Sequence, residues 1–325
     1  MAVTLADRRT DDPPDSAAES ARRSGGDRRQ RLRRSRLLLL MMAPGVLYFL
    51  VFHYVALLGN VIVFQDYLPF AGITNSPWVG LDNFRALFAD PDFWQAAVNT
   101  ISLATLQLIF YFPVPVALAL LLHSLTRGWV RKAVQSIVYL PHFISWVIVV
   151  ALFQQLLGAA GVLNGLFADN GYHLVNVFSE PSLFKPLMIA ELIWKDCGWG
   201  TIIVLAALHN VDDQLYEASA IDGAGWGRRL WHVTLPSLRP VLVLLLILRL
   251  GDILSVGFDQ VLLQRDGFSP GVAEVLDTYT YYHGVVNGSW GPAALAGIFK
   301  GLVGLVLIVV ANKVAHRLGE EGVYR

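Results

Sequence analysis

The chain has 325 residues, 55% of them hydrophobic and 15% charged, against about 45–50% and about 25% in an ordinary soluble domain, which argues against a water-soluble globular protein. Its 25 basic and 25 acidic residues cancel, so net charge points to no nucleic-acid partner. The single cysteine, Cys197, excludes an internal disulfide and a cysteine-based metal cluster.

Residues 1–36 hold ten of the basic residues and few large apolar side chains. Such a segment cannot bury enough surface to offset the entropy of ordering, and a disordered tail is expected. The apolar stretch after Arg36 runs on to Phe64, longer than the core of a cleaved secretory signal. It reads as a retained first span, interrupted by Pro44 and Gly45. Five further apolar stretches follow, at 96–122, 133–157, 187–208, 238–263 and 291–313. Each reaches the roughly 20 residues that cross a hydrocarbon core as a helix. The weakest is 187–208, which carries Glu191, Lys195 and Asp196. The fold class expected is all-α: a six-helix transmembrane domain over 37–325, with no second domain and no internal repeat.

Loop charges orient these spans. With the N-terminus in the cytoplasm, Lys and Arg crowd the tail, 123–132, 209–239 and the C-terminus, while the outside loops hold only Arg85, Lys185 and Arg265. That asymmetry follows the positive-inside rule and places both termini in the cytoplasm.

The cytoplasmic loop at 210–236 is the most informative segment. Asp212 or Asp213 suits a helix N-cap, 215–221 is helix-compatible, and Gly223 suits the left-handed position that ends a helix. Gly225 and Gly227 then read as a turn, 226–231 as a second helical segment, and Pro236 as the restart into the fifth span. By composition alone the loop is an interfacial helix with Trp226 and Trp231 at headgroup level.

The order of residues says more. Glu217-Ala218-Ser219, Asp222-Gly223 and Leu235-Pro236 resemble the EAA loop of binding-protein-dependent ABC transporter permeases, with Ser219 replacing a second Ala. The likeness extends to Ser76–Phe84, Tyr139–Trp146, Ile193–Gly200, Gly257–Gln260, Asp277–Tyr279 and the Gly319–Gly322 region, where the chain is similar to carbohydrate importers, above all those for oligosaccharides released from polysaccharides. The resemblance implies a type I importer permease in a prokaryotic plasma (inner) membrane, paired with a second permease subunit as a heterodimer. Two ATP-binding subunits would lie below it and an extracytoplasmic solute-binding protein above. Glu217, Ala218, Ser219, Asp222, Gly223, Leu235 and Pro236 would form the ATPase-coupling element.

The chain contains no Gly-x-x-x-x-Gly-Lys-Ser/Thr loop. It carries no ATPase site of its own, is not expected to be an enzyme, and would need no cofactor; ATP and Mg would be used by its partners. The His residues show no metal-ligand spacing.

Charges within spans are costly and often functional. Glu191 with Lys195, and Arg249 with Asp252, are spaced to neutralise one another along one helix. Residues 249, 252, 256 and 259/260 would also share a face of the fifth span. Trp194, Lys195, Trp199, Arg249, Asp252, Asp259, Gln260 and Lys300 are therefore the candidate oligosaccharide path, its cations suited to an acidic sugar. The outer loops are aromatic and acidic, and 268–290 is expected to touch the solute-binding protein in part. The main alternative is a polytopic enzyme acting on lipid-linked sugars, which would need a carboxylate or metal cluster near the membrane surface. A secondary carrier is disfavoured by the lack of symmetry.

Overall fold

The computed structural model describes residues 36, 38–170, 176–317, 319 and 322. Nearly all of the expected tail at 1–36, and Glu320 and Glu321 of the C-terminal motif, lie outside the described residues. The chain divides into two compact units, Met1–Val61 and Ile62–Arg325.

In the first unit the apolar run after residue 36 forms most of α1 (Leu38–Phe64). This helix does not break at Pro44 and Gly45 as expected; it continues through them and passes a π-helical turn at Leu50–Val55. One missing backbone donor near the start of a long helix is tolerated where neighbouring groups can re-satisfy the freed carbonyl. The described side chains from 36 to 58 are all exposed, an apolar surface suited to lipid or to another chain.

The second unit is helical, with an isolated antiparallel bridge between Gln65 and Trp78. After the short α2 (Asp82–Ala89), α3 (Pro91–Ser124) starts on a capped turn: Asp90 Oδ1 accepts from the Asp92 N–H at 2.9 Å, and Pro91 needs no donor at that position. Its π turn at Gln107–Tyr111 leads directly into Pro113 and Pro115 without ending the helix. Next come α4 (Gly128–Tyr139) and α5 (Trp146–Asp169), the latter interrupted at 158–161. The stretch 133–157, expected as one span, is thus broken at 140–145: Pro141 sits in a 3-10 turn, and Ile144 and Ser145 are extended.

α6 (Phe184–His209) has 26 residues, about 39 Å at 1.5 Å per residue. Among the described residues five other helices are long and apolar enough to cross a membrane: α1, α3, α5, α8 (Trp226–Gly251) and α11 (Trp290–Arg317). α6 matches them in length, while its four charges, Lys185, Glu191, Lys195 and Asp196, leave it less apolar.

Between α6 and α8 lies α7 (Asp213–Ile221). The turn expected at Gly225 and Gly227 does not form there: the chain turns at Asp222 and Gly223, Gly225 is extended as the residue before α8, and Gly227 already belongs to that helix. Pro236 does not restart the chain: α8 runs through it, with a π turn at Leu230–Thr234 immediately before. The expected fifth span, 238–263, ends early. The chain leaves the helix after Gly251 and re-enters one only at α9 (Phe258–Gln264). Residues 249, 252, 256 and 259/260 consequently share no helical face. A short helix, α10 (Leu276–Thr280), continues as a π turn to Val286 before α11.

Two apolar clusters hold one end of the unit, one built on Leu103, Phe184, Met188, Val261 and Phe268, the other on Leu87, Phe93, Tyr279 and Ala296. A third, with Ala119, Leu122, Val204, Leu208 and Leu238, joins α3, α6 and α8 at the α7 end.

Candidate functional site

α7 is short, and its ends are fixed. The Asp212 carboxylate accepts from the Gln214 N–H at 2.9 Å, which selects Asp212 as the N-cap. At the other end Gly223 has φ +69°, and the N–H groups of Gly223 and Ala224 donate to the carbonyls of Ala220 and Ser219, the left-handed helix stop that glycine adopts without strain. Two contacts absent from the sequence motif tie the loop to α8: Tyr216 Oη lies 3.1 Å from Thr234 Oγ1, and Arg229 Nε donates to the Ala224 carbonyl at 2.8 Å. Nothing in residue spacing marks either contact.

No residue of α7 is buried. Glu217, Ala218 and Asp222 are exposed, and Ser219 is half-buried with its hydroxyl donating to the Tyr216 carbonyl. Leu215, Ile221 and Trp226 also stand exposed beside them. Leu235 and Pro236 lie further along α8, beyond the π turn. The result is a helix fixed at both ends whose exposed surface mixes carboxylates, Asp213 and Glu217 on the helix with Asp212 and Asp222 beside it, with small and apolar groups.

The second constellation lies near the middle of α6. Lys195, 6% exposed, donates to the His142 carbonyl in the broken segment at 2.8 Å. His142 Nδ1 lies 2.8 Å from Asp196 Oδ1, and its ring stacks on Trp199 with centroids 4.7 Å apart and planes 8° from parallel. Tyr111 Oη donates to the Asp196 carbonyl at 3.3 Å, and the Arg249 guanidinium lies 5.6 Å from the Tyr111 ring centroid. Arg249 also donates to Gln107 Oε1, whose amide donates to the Val256 carbonyl. A connected polar chain thus runs from the 140–145 break to the end of α8. Irregular backbone and charge at this depth are tolerated where protein buries them or water reaches them.

The expected pairs along single helices do not form. Glu191 accepts instead from Gln260 at 2.8 Å and Gln264 at 2.7 Å, and among the described residues no ion pair joins Arg249 to Asp252. Gln260, expected on the path, is fully buried and also donates to the Met188 carbonyl; its amide is consumed in joining α9 to α6. Trp194 packs edge-on against Phe153, away from the Trp199–His142 stack. Asp252 and Lys300 line a separate cleft of about 570 Å³ between α8, α10 and α11, where Lys300 pairs with Asp277. Asp259 is exposed in the first turn of α9. His142, Tyr111 and Gln107 were not anticipated as members of the central chain; a polar residue beside Pro141 in an apolar stretch was the one available signal.

Residues 112–319 match the family described as "Binding-protein-dependent transport system inner membrane component". The chain is 47% identical over 282 residues, 86% of its length and 88% of the relative's, to the polygalacturonan/rhamnogalacturonan transport system permease protein YteP of Bacillus subtilis. It is 31% identical over 86% of its length to the arabinooligosaccharides transport system permease protein AraP of the same organism, covering 88% of that protein. A chain in the crystal structure of a bacterial alginate ABC transporter in complex with an alginate pentasaccharide-bound periplasmic protein superposes with TM-score 0.82 at 36% identity, over 90% of this chain and 99% of that one. None of these relatives supports the alternative of an enzyme acting on lipid-linked sugars. A family match over most of the folded part, together with the capped α7 loop, places this chain in the binding-protein-dependent transport system inner membrane component family.

Proposed function

We propose that the chain forms half of the translocation path of an ATP-driven oligosaccharide importer, pairing with a second permease and seating α7 on cytoplasmic ATPase subunits that use ATP and Mg. The observation that carries this reading is α7 itself: capped at both ends, tied back to α8, and without a buried residue. A helix so fixed and so bare suits a partner surface. Glu217 is its charged contact, Ala218 and Gly223 permit close approach, and closure of the ATPase pair would tilt α8 through the Tyr216–Thr234 and Arg229–Ala224 links.

The sugar would pass the His142–Trp199 face, where an aromatic surface suits the apolar C–H side of a pyranose. Arg249 argues for an acidic sugar. Lys195 has Asp196 within 3.8 Å and Lys300 has Asp277, whereas Arg249 meets neutral Gln107 and Tyr111. Its charge near the middle of the bundle has no carboxylate among the described residues and favours an anionic ligand. The likeness to a chain of a bacterial ABC transporter involved in the import of the acidic polysaccharide alginate is consistent with that preference.

Uptake by membrane vesicles tests the coupling claim. Glu217→Lys should leave the chain in the membrane at normal abundance while ATP-driven oligosaccharide uptake falls at least tenfold. Undiminished uptake would overturn the role given to α7.

A further inference from the structure

At the end of the second unit opposite α7, α3 begins and α10 packs beside it. There Asp92, Arg265, Glu274, Tyr279 and His283 line a small pocket of about 110 Å³. Its floor is Glu274, 8% exposed. One carboxylate oxygen, Oε2, accepts from Arg265 Nε at 2.8 Å and from its terminal nitrogen at 2.6 Å. The other, Oε1, is buried without a hydrogen-bond partner. A buried acceptor left unpaired costs about 1–3 kcal/mol, so the site is built for a donor. Arg265 cannot turn to supply it: its guanidinium is held over the Tyr282 ring, 3.8 Å from the centroid.

The surroundings define the donor. The Tyr279 hydroxyl donates outward to Asp90 at 2.6 Å, and its ring stacks on His283 at 4.0 Å, so it gives Glu274 nothing and supplies a flat wall. Burial and the bond to Asp90 push the Tyr279 phenol well above its ordinary range, so the hydroxyl stays a neutral donor. With Asp92 exposed at the rim, two carboxylates of the lining stand against one guanidinium. Among the described residues no group of three His, Cys, Asp or Glu side chains is placed to hold a metal ion. The volume is far below the roughly 300 Å³ at which small-molecule pockets begin. What fits is the head of a single cationic side chain.

We propose that this pocket receives a lysine or arginine side chain of the extracytoplasmic solute-binding protein, fixing its position over the path; this rests on the importer reading above. Charge complementarity supports that occupant. The segments between spans on this side hold Arg85, Lys185 and Arg265 against a larger number of acidic residues, so a basic patch on the delivering protein would be steered here and then located by one buried contact.

The test uses the complete transporter in proteoliposomes, with ATP hydrolysis followed as purified solute-binding protein is titrated in. Asp92→Asn and Asp92→Lys change an exposed rim group and leave the Arg265–Glu274 pair intact. The half-maximal concentration of solute-binding protein should rise about threefold and at least tenfold respectively, and 0.5 M salt should narrow both differences. Curves within twofold of the unaltered complex for both variants would overturn the proposal and leave the pocket to water. Were the unaltered complex itself unresponsive to the solute-binding protein, the importer reading would fall first and this proposal with it, a result seen before any substitution is made.

Discussion

Arg249 and Glu191 show how burial assigns roles to single charges. Arg249 rests on Tyr111 and Gln107, so Arg249→Gln removes charge from a site without a carboxylate partner. Uptake of an acidic oligosaccharide should drop at least tenfold, about 1.4 kcal/mol, with a smaller effect on a neutral one of equal length. Equal and undiminished uptake of both would remove Arg249 from the path. Glu191 has a structural task. Glu191→Ala would leave the Gln264 amide unpaired, at a cost of about 1–3 kcal/mol, and Gln260 with only the Met188 carbonyl; it should lower the thermal unfolding midpoint in detergent, while Glu191→Gln should lose much less. The charges themselves were legible in the sequence, but their partners were not. Helical spacing reports neighbours on one helix, whereas Lys195 finds the His142 carbonyl, Glu191 finds α9, and Arg249 finds Gln107 far away in the chain. Gln260 looked like a path residue for the same reason: a polar side chain in an apolar run reads alike whether it faces a channel or a buried carboxylate.

Among the elements, α7 was the most readable, because capping is local chemistry. The Asp212 cap and the Gly223 stop depend on residues within a few positions of each other. Breaks inside apolar stretches were harder. Pro141 and Gly251 interrupt 133–157 and 238–263, yet Pro44, Pro113 and Pro115 sit within continuous helices. Proline removes a donor in each case, and whether the chain bends depends on what lies opposite. At 140–145 Lys195 and Asp196 hold the opened backbone in place. Two substitutions separate packing from coupling. A Cβ at Gly198 would sit 2.3 Å from the Val138 carbonyl oxygen, so Gly198→Ala should force α4 from α6 and lower thermal stability in detergent. A Cβ at Gly223 meets nothing within 4 Å; only its left-handed backbone resists, at about 1–2 kcal/mol. Gly223→Asp should therefore remain folded and membrane-inserted while ATP-driven uptake is lost. Normal uptake by that variant would contradict the docking role.

For the whole molecule, composition established the membrane class, since 55% hydrophobic content leaves few alternatives. It did not establish how polar groups are distributed inside. α6 reaches span length with Glu191, Lys195 and Asp196 because each finds a partner on another element. The zero net charge divides in the same way. The Arg-rich side would face the cytoplasm and carry α7, and the acidic side would meet the solute-binding protein. The central claim is that α7 joins this chain to an ATPase, and the most direct test is to purify the tagged chain from its native membrane and assay the reconstituted product. The account predicts a complex containing a second permease and ATP-binding subunits, with oligosaccharide uptake that requires MgATP and is lost with Glu217→Lys. A lone chain that transports without ATP, or a complex whose MgATP-driven uptake survives Glu217→Lys, would contradict it.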